Sequence, residues 1–320
     1  MPSWDEYVDR VEQLADPEKF RQFVRDEINR LLTEISNLRG GRNVIFYSSA
    51  WLQKPTFPPA ALSLSPEEIN GFMAVMKGMN WERGLTLLLH TPGGSPNAAE
   101  TVGEYLLSKF GKIETIVPTY AQSAGTMLAM ISDRLVMGRQ SQLGPIDPQL
   151  MIGTMPVSAL SVEGQFERAK KEIIADQKVA HAWAPILQSL GPGLLVESSR
   201  ALEYGKRVVA KWLTQRAFKN DEHCQSKASK VADSLAAAPT NVNHGQRIDI
   251  SEAKALGLDV EPLEGDQALQ EAVLSLYHMV TILFEKSDVT KALFSSTGSW
   301  WLKQHQVIFP RPPAAAPPSK

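Results

Sequence analysis

Short apolar stretches alternate with stretches of helical character through the middle of the chain. Residues 85–90 read LTLLLH, and the runs at 112–120 (KIETIVPTY) and 133–138 (DRLVMG) are of the same kind. Between them lie SPNAAETVGEYLLSKF and SAGTMLAMI, which we predict to be helices. Because apolar strands alternating with helices are typical of parallel sheets with crossover connections, the pattern predicts an α/β fold. In such sheets, sites form where strands end and helices begin.

The flanking segments add helices to this unit. Apolar residues recur at three and four positions between 4 and 39, and NVIFYSS at 43–49 predicts a first strand. From about residue 161 to 238 the pattern is mainly helical. We therefore predict four parts: an N-terminal helical arm at 1–40, a main α/β domain at 41–262, a C-terminal helical extension at 263–308 and a disordered Pro/Ala-rich tail at 309–320.

Composition excludes several classes of function. The 33 basic and 35 acidic side chains leave a net charge of −2, which argues against a nucleic-acid or anionic-lipid partner. The single cysteine, Cys224, permits neither an intrachain disulfide nor a multi-cysteine metal site, and we expect no metal or cofactor. No apolar run approaches the ~18 residues of a membrane span, and the N-terminus is too charged for a signal peptide. We expect a cytoplasmic protein.

Two strand-to-helix turns contain the candidate catalytic residues. In LLLHTPGGSPNAAE, Gly93 and Gly94 allow a ligand to approach the backbone near a helix N-terminus. In PTYAQSAGTMLAM, the lone Ser123 stands among small residues at the start of a helix. A serine nucleophile needs a base, and its tetrahedral intermediate needs donors for the oxyanion. The N–H groups of Gly94 and Ala124 could be those donors; the alternative is a helix cap at Ser123 beside an ordinary glycine turn.

The chain resembles the serine dehydrogenase proteinase family in four stretches that follow in order: LLLHTPGGSPNAAETVGEYL, IVPTYAQSAGTMLAM, DRLVMGRQSQLGPIDPQL and HGQRIDISEAKALGLDV. That family is similar to the Clp proteases and signal-peptide peptidases of the crotonase-like superfamily. The resemblance implies a Clp protease/crotonase-like spiral of ββα units in the main domain. It also implies a serine endopeptidase with Ser123 as nucleophile, an oxyanion hole formed by Gly94 and Ala124, and assembly into a ring or stacked homo-oligomer.

The general base is a separate question. Clp proteases place a histidine a short way after the serine, and this chain has none there. Relatives of the signal-peptide peptidases use a lysine on a later helix, for which Lys170, Lys171 and Lys178 are the candidates, with His181 as an alternative. Helical spacing places Lys170 with Phe166 and Ile173, so we expect Lys170 to point inward. Burial is needed because a lysine base must lose about 3 pKa units to be neutral near pH 7.

Other residues near the turns have alternative interpretations. Asp147, in GPIDP, is either a structural carboxylate of a tight turn or a group that contacts substrate or orients the lysine or a water, and Gly93 is a candidate substrate contact. His90 is expected to be a buried structural histidine and His244 a turn residue. We expect a peptidase that acts on peptides or unfolded proteins. The alternatives are a non-catalytic assembly or adaptor protein and a crotonase-like acyl-CoA enzyme.

Overall fold

The computed structural model describes residues 4–14, 16–153, 155–191, 193–236 and 247–305. The described part contains eleven strands, which are β1 (Asn43–Ser49), β2 (Leu85–His90), β3 (Ile113–Val117), β4 (Tyr120–Ala121), β5 (Arg134–Met137), β6 (Gln142–Leu143), β7 (Gln149–Ile152), β8 (Met155–Ser158), β9 (Val260–Pro262), β10 (Val289–Ser295) and β11 (Trp300–Gln304). The same residues contain twelve helices, which are α1 (Trp4–Glu12), α2 (Pro17–Leu38), α3 (Pro59–Leu62), α4 (Glu68–Val75), α5 (Pro96–Lys109), α6 (Ala124–Ala129), α7 (Ala159–Ala175), α8 (Ala180–Ser189), α9 (Leu194–Gln215), α10 (Cys224–Ala236), α11 (Ile250–Ala255) and α12 (Gln267–Glu285). Short 3₁₀ turns lie at 81–83, 177–179 and 263–265.

A central seven-stranded mixed sheet organises the molecule, in the order β11-β10-β1-β2-β3-β5-β9. The five strands from β1 to β9 are parallel, and β10 pairs antiparallel with both β1 and β11. Every residue of β1, β2 and β3 is buried, as expected for strands with helices on both faces. The predicted α/β class is therefore confirmed as a mixed α/β fold, while the spiral of ββα units stays a prediction.

The two faces of the sheet pack on different sets of helices. Along β1, Ile45 and Tyr47 belong to the apolar core that contains residues of α4, α5, α6, α9 and α10. Val44 and Phe46 point to the opposite core, which contains residues of α1, α2 and α12. This alternation follows from the two-residue period of a strand, and it produces three layers: helices, sheet and helices.

Helix α2 begins as its sequence predicts. Asp16 is the N-cap, its carboxylate accepts the N–H of Glu18, and Pro17 occupies the first helical position. Its apolar side packs against α12, with Ile28, Leu32 and others buried. The N-terminal helical segment thus forms part of one helical layer.

The described part of the segment 263–308, which ends at residue 305, differs from the helical extension that we predict for it. It is helical as far as Glu285, and then forms the hairpin of β10 and β11. The reason is tertiary: β10 lies between β1 and β11, so every residue of VTKALFS is buried and its backbone bonds are made to the two neighbouring strands. Residues 309–320, the predicted disordered tail, lie outside the described residues.

Candidate active site

The two strand-to-helix turns meet at the carboxyl edge of the parallel strands. The N–H of Thr91 donates to Tyr120 O (2.9 Å), and the N–H of Gln122 donates back to Thr91 O (3.0 Å), so the turn after β2 is bonded directly to β4 and the residue after it. Gly93 has φ of 94°, and a Cβ at this position would lie 2.5 Å from Gln122 O and 2.8 Å from Ser123 Cβ. The approach of the two turns therefore requires glycine at position 93.

Ser123 occupies a strained backbone conformation. It is the N-cap residue of α6 with φ of 51° and ψ of −117°, and it is the one non-glycine residue with positive φ in the part of the chain that the structure describes. Its side chain makes no capping hydrogen bond, so the helix-cap interpretation does not account for the serine. Strained conformations of this kind cost about 1–3 kcal/mol and cluster at functional sites. A sharp strand-to-helix turn is also how hydrolase nucleophiles are exposed.

The backbone N–H groups near Ser123 are a further feature of the site. Within the described residues, neither the N–H of Gly94 nor that of Ala124 donates a hydrogen bond to another protein group. Ala124 begins α6, where N–H groups of the first turn have no partner inside the helix. Gly93 packs against this turn, because a Cβ on it would lie 2.9 Å from Ala124 N. Unused donors beside a serine can stabilise an oxyanion.

A cleft of about 280 Å³ opens onto Ser123. It is lined by Trp51, Pro92, Tyr120, Gln122, Ser123, Gln142 and Pro145. Sequence reasoning did not single out the six residues beside the serine. A signal was nevertheless present, because each of them follows the carboxyl end of one of the strands β1, β2, β3 or β5, where sites of parallel sheets form. The lining contains aromatic and proline rings, two amides and the hydroxyls of Ser123 and Tyr120, and no carboxylate, imidazole or amine.

His90 lies behind this cleft. It is 1% exposed, its Nδ1 lies 2.7 Å from Thr119 Oγ1, and its ring packs on those of Trp51, Tyr120 and Tyr277. Burial lowers the pKa of His90 to about 3. The imidazole is therefore neutral at ordinary pH, as expected for a structural histidine.

The candidate lysines do not lie where helical spacing placed them. Lys170 is 66% exposed and pairs with Glu167 (3.8 Å), so the expectation of an inward lysine is wrong. The buried face of α7 is formed by the smaller side chains Ala159, Val162 and Ala169 instead. Phe166 and Ile173 are only half-buried. Because this side of α7 is not deeply buried, the Lys170 side chain has room to extend along it and place its ammonium in solvent.

The remaining candidates are also on the surface. Lys171 is exposed, and it lines a surface hollow with Lys170 and Ile174 that shares no residue with the Ser123 cleft. Lys178, in the 3₁₀ turn after α7, and His181, in α8, are exposed as well. The structure thus brings Gly93 against Ser123 and Ala124, with Gly94 next to it in the chain, and the four candidate bases are not among the cleft-lining residues.

Asp147 is buried in the loop that leads from the cleft to β7. Its carboxylate accepts hydrogen bonds from Gln149 Nε2 (3.2 Å) and from the N–H of Leu160 (3.5 Å). These bonds agree with a structural carboxylate, and Asp147 is not among the cleft-lining residues. His244 lies outside the described residues.

Across residues 4–305, apart from the undescribed positions, no helix is long and apolar enough to cross a membrane. Over the same described residues, no group of three or more His, Cys, Asp or Glu side chains is arranged to hold a metal ion.

The chain is similar in sequence to one protein family and to two other proteins. Residues 67–280 match the family described as ClpP-like SDH-type serine proteinase. The chain is also similar to two uncharacterized proteins of Methanocaldococcus jannaschii. It is 27% identical to MJ0137 over 236 residues, or 72% of each chain. It is 27% identical to MJ1495 over 177 residues, which are 55% of this chain and 51% of that protein.

Proposed function

Because this chain belongs to the family of ClpP-like SDH-type serine proteinases, we propose that it is a serine peptidase whose nucleophile is Ser123. The observation that carries the proposal is the strained Ser123, at φ of 51°, on a cleft beside two unused N–H groups. A serine that served only as a helix cap would accept a hydrogen bond from α6, and Ser123 does not.

The proposed reaction is acyl transfer through a covalent intermediate. Ser123 Oγ attacks the carbonyl carbon of the scissile bond while its proton passes to a base, and the carbonyl oxygen becomes an oxyanion. The N–H groups of Gly94 and Ala124 receive that oxyanion, each contributing about 3 kcal/mol to the lowering of the barrier. The intermediate expels the amine, which takes a proton, and water then hydrolyses the acyl-serine.

A Ser-Lys dyad requires more than one subunit in this proposal. A lysine base must be desolvated to lose its proton near neutral pH, and Lys170 is two-thirds exposed in the single chain. Lys170, Lys171 or Lys178 could therefore act only where a neighbouring subunit buries it. Because Lys170 and Lys171 lie on α7 and Lys178 follows it, we place this subunit interface on α7.

The apolar surface supports self-assembly. Met151 and Met155, on the hairpin of β7 and β8, and Ile174, on α7, are the most exposed of the exposed large hydrophobic side chains. Met151 and Met155 lie on paired strands of one hairpin, and exposed apolar residues that lie close together are typical of contact surfaces. We propose a homo-oligomer that encloses its sites and acts on peptides or unfolded proteins, because enclosed sites admit extended chains more readily than folded ones.

A fluorophosphonate probe tests the nucleophile. We expect the native chain to be labelled at Ser123, as located by peptide mass spectrometry, and the Ser123→Ala variant to be unlabelled. Ser108→Ala is the matched control, because Ser108 is an exposed serine on α5 whose hydroxyl, among the described residues, bonds only to Tyr105 O. Labelling that survives in Ser123→Ala, or its absence from the native chain between pH 6 and 9, would refute the proposal and favour a non-catalytic assembly protein.

The pH dependence of the same reaction identifies the class of base. A labelling rate that rises with an apparent pKa near 6–7 indicates an imidazole, and one that rises with a higher pKa indicates an amine. Replacing each candidate lysine and each of the six histidines in turn then assigns the residue.

A further inference from the structure

A buried ion pair lies behind the glycine turn. Lys291, on β10, is 3% exposed, and its ammonium contacts the carboxylate of Glu68, the fully buried first residue of α4. Burying two charges is costly, and a buried pair is weak as a source of stability alone. The contacts that it makes therefore call for another explanation.

Both members of the pair hold the segment 63–65. Lys291 Nζ also donates to Ser63 O (3.0 Å). The second oxygen of Glu68 accepts the N–H of Ser65 (2.6 Å) and its hydroxyl (2.7 Å). The residue between them, Leu64, is thus held on both sides by charged groups.

Leu64 in turn is paired with the oxyanion turn. Its N–H donates to Gly93 O (2.7 Å), and its carbonyl accepts the N–H of Ser95 (2.9 Å). Gly94 is in close contact with it, because a Cβ on Gly94 would lie 2.5 Å from Leu64 N. The segment 63–65 is therefore the direct support of the backbone on both sides of Gly94.

The bond to Gly93 O sets the direction of the Gly94 donor. In a trans peptide, the carbonyl of one residue and the N–H of the next point in opposite directions. Because the Gly93 carbonyl points at Leu64, the N–H of Gly94 points away from Leu64. Gly93 on its other side packs against Gln122 and Ser123.

We propose that the buried Lys291–Glu68 pair positions the oxyanion hole by clamping residues 63–65, which aim the N–H of Gly94. Lys291 and Glu68 are positioning residues, because they act through Leu64 and do not touch the reacting atoms. Lys291 lies beyond residues 67–280 that match the family, so the C-terminal hairpin supplies a part of this site. The role in catalysis rests on the proposed function of Ser123, Gly94 and Ala124.

The test replaces both charges together, since a single replacement would leave one buried charge unpaired and could unfold the chain. The double variant is Lys291→Met with Glu68→Gln. Its matched control is Lys303→Met with Glu67→Gln, which removes the neighbouring pair of β11. In that pair the Lys303 side chain is 41% exposed and the Glu67 side chain is 48% exposed, and neither bonds to residues 63–65.

The measurement is the saturation kinetics of fluorophosphonate labelling at Ser123. Losing one oxyanion donor typically costs 10²–10³ in rate, so we expect the maximal labelling rate to fall about 100-fold while the half-saturating probe concentration changes less than about two-fold. Hydrogen exchange, read by mass spectrometry, should quicken in the peptide spanning 91–95 and stay unchanged in β3. The control should match the native chain in both.

Two outcomes overturn the proposal. An unchanged labelling rate in the double variant would show that the pair does not position the donor. A general quickening of exchange across the sheet, with equal losses in rate and probe affinity, would show a merely structural role. If the native chain is not labelled at all, the peptidase proposal fails. The hydrogen exchange of residues 91–95 in the double variant then still shows whether the Lys291–Glu68 pair holds the glycine turn in place.

Discussion

At the scale of single residues, the conformation of Ser123 is the main departure from ordinary local structure. A serine with φ of 51° is held there by its surroundings: the Gly93 turn on one side and the bonds of Thr126 on the other. The hydroxyl of Thr126 lies within hydrogen-bond distance of both Ala121 O (2.7 Å) and Gly144 O (2.8 Å) and can donate its single proton to either, which ties α6 to the loop that lines the cleft. Strain maintained in this way is expected of a site selected for function rather than stability.

Replacing Ser123 with glycine should relieve this strain. Glycine adopts positive φ without the Cβ penalty, but it loses about 0.5–1 kcal/mol more in conformational entropy on folding, against a strain of about 1–3 kcal/mol. We therefore expect Ser123→Gly to unfold with a free energy about 1 kcal/mol larger than Ser123→Ala, as measured by urea denaturation. Equal stability of the two variants would show that position 123 is not strained.

His90 should make the fold sensitive to acid. Its pKa falls from an ordinary 6.5 to about 3 in the folded chain because of burial. The unfolded chain therefore takes up a proton below pH 6.5 while the folded chain does not, so the stability present above pH 6.5 is lost as the pH falls toward 3. At pH 5 the loss from this residue is about 2 kcal/mol, at about 1.4 kcal/mol per pH unit.

The measurement is the free energy of unfolding between pH 7 and 5. His90→Asn should reduce its slope, because asparagine can still bond to Thr119 and does not titrate here. His223→Asn, at an exposed histidine, is the control and should keep the native slope. If His90→Asn kept the native slope, His90 would not be the source of the acid sensitivity.

At the scale of elements, α7 shows what helical spacing can predict about a side chain and what it cannot. The i, i+4, i+7 pattern correctly predicts a helix with a periodic face, and the helix is present from Ala159 to Ala175. It does not tell how deeply that face is buried. Only the packing of α7 against α9 decides this, and it buries alanine and valine while leaving Lys170 in solvent.

The lysines of this region should be dispensable in an isolated subunit. Surface substitutions usually change stability by less than about 0.5 kcal/mol, so Lys170→Ala, Lys171→Ala and Lys178→Ala should each unfold like the native chain. At protein concentrations where sedimentation shows a monomer, we expect their labelling rates at Ser123 to stay within two-fold of native. A ten-fold loss in the monomer would restore the lysine to a role within a single chain.

At the scale of the whole molecule, the C-terminal hairpin belongs to the central sheet. Strand β10 covers the edge of β1, and Lys291 on β10 pairs with Glu68 across the α4 face of the sheet. A chain that ends at Lys286 would expose β1 as an apolar edge strand and leave Glu68 without its cation. Exposed apolar edges favour aggregation.

We therefore expect the chain truncated after Lys286 to be insoluble or rapidly degraded by trypsin. A chain that ends at Ile308, which lacks only the predicted tail, is the control and should melt at the native temperature. A truncated chain that stays soluble with a native melting temperature would show that residues 287–308 are not needed to complete the central sheet.

The central strands and both strand-to-helix turns could be predicted from the chain because their signals are local. The strands β1 and β2 coincide with the predicted runs NVIFYSS and LTLLLH, since a stretch that is apolar on both faces has few other ways to bury itself. Gly93, Gly94 and Ser123 stand out for the same reason: small residues at the end of an apolar strand permit backbone conformations that others do not.

The pairing of distant segments could not be predicted from local sequence signals. The approach of Leu64 to Gly94, the contact of Lys291 with Glu68 and the exposure of Lys170 each depend on which helices and strands become neighbours. Desolvation and charge pairing depend on distance in space, whereas periodicity reports only the direction of a side chain about its own helix or strand. The proposed nucleophile could thus be located from local pattern, and the groups that we propose support it only from the folded chain.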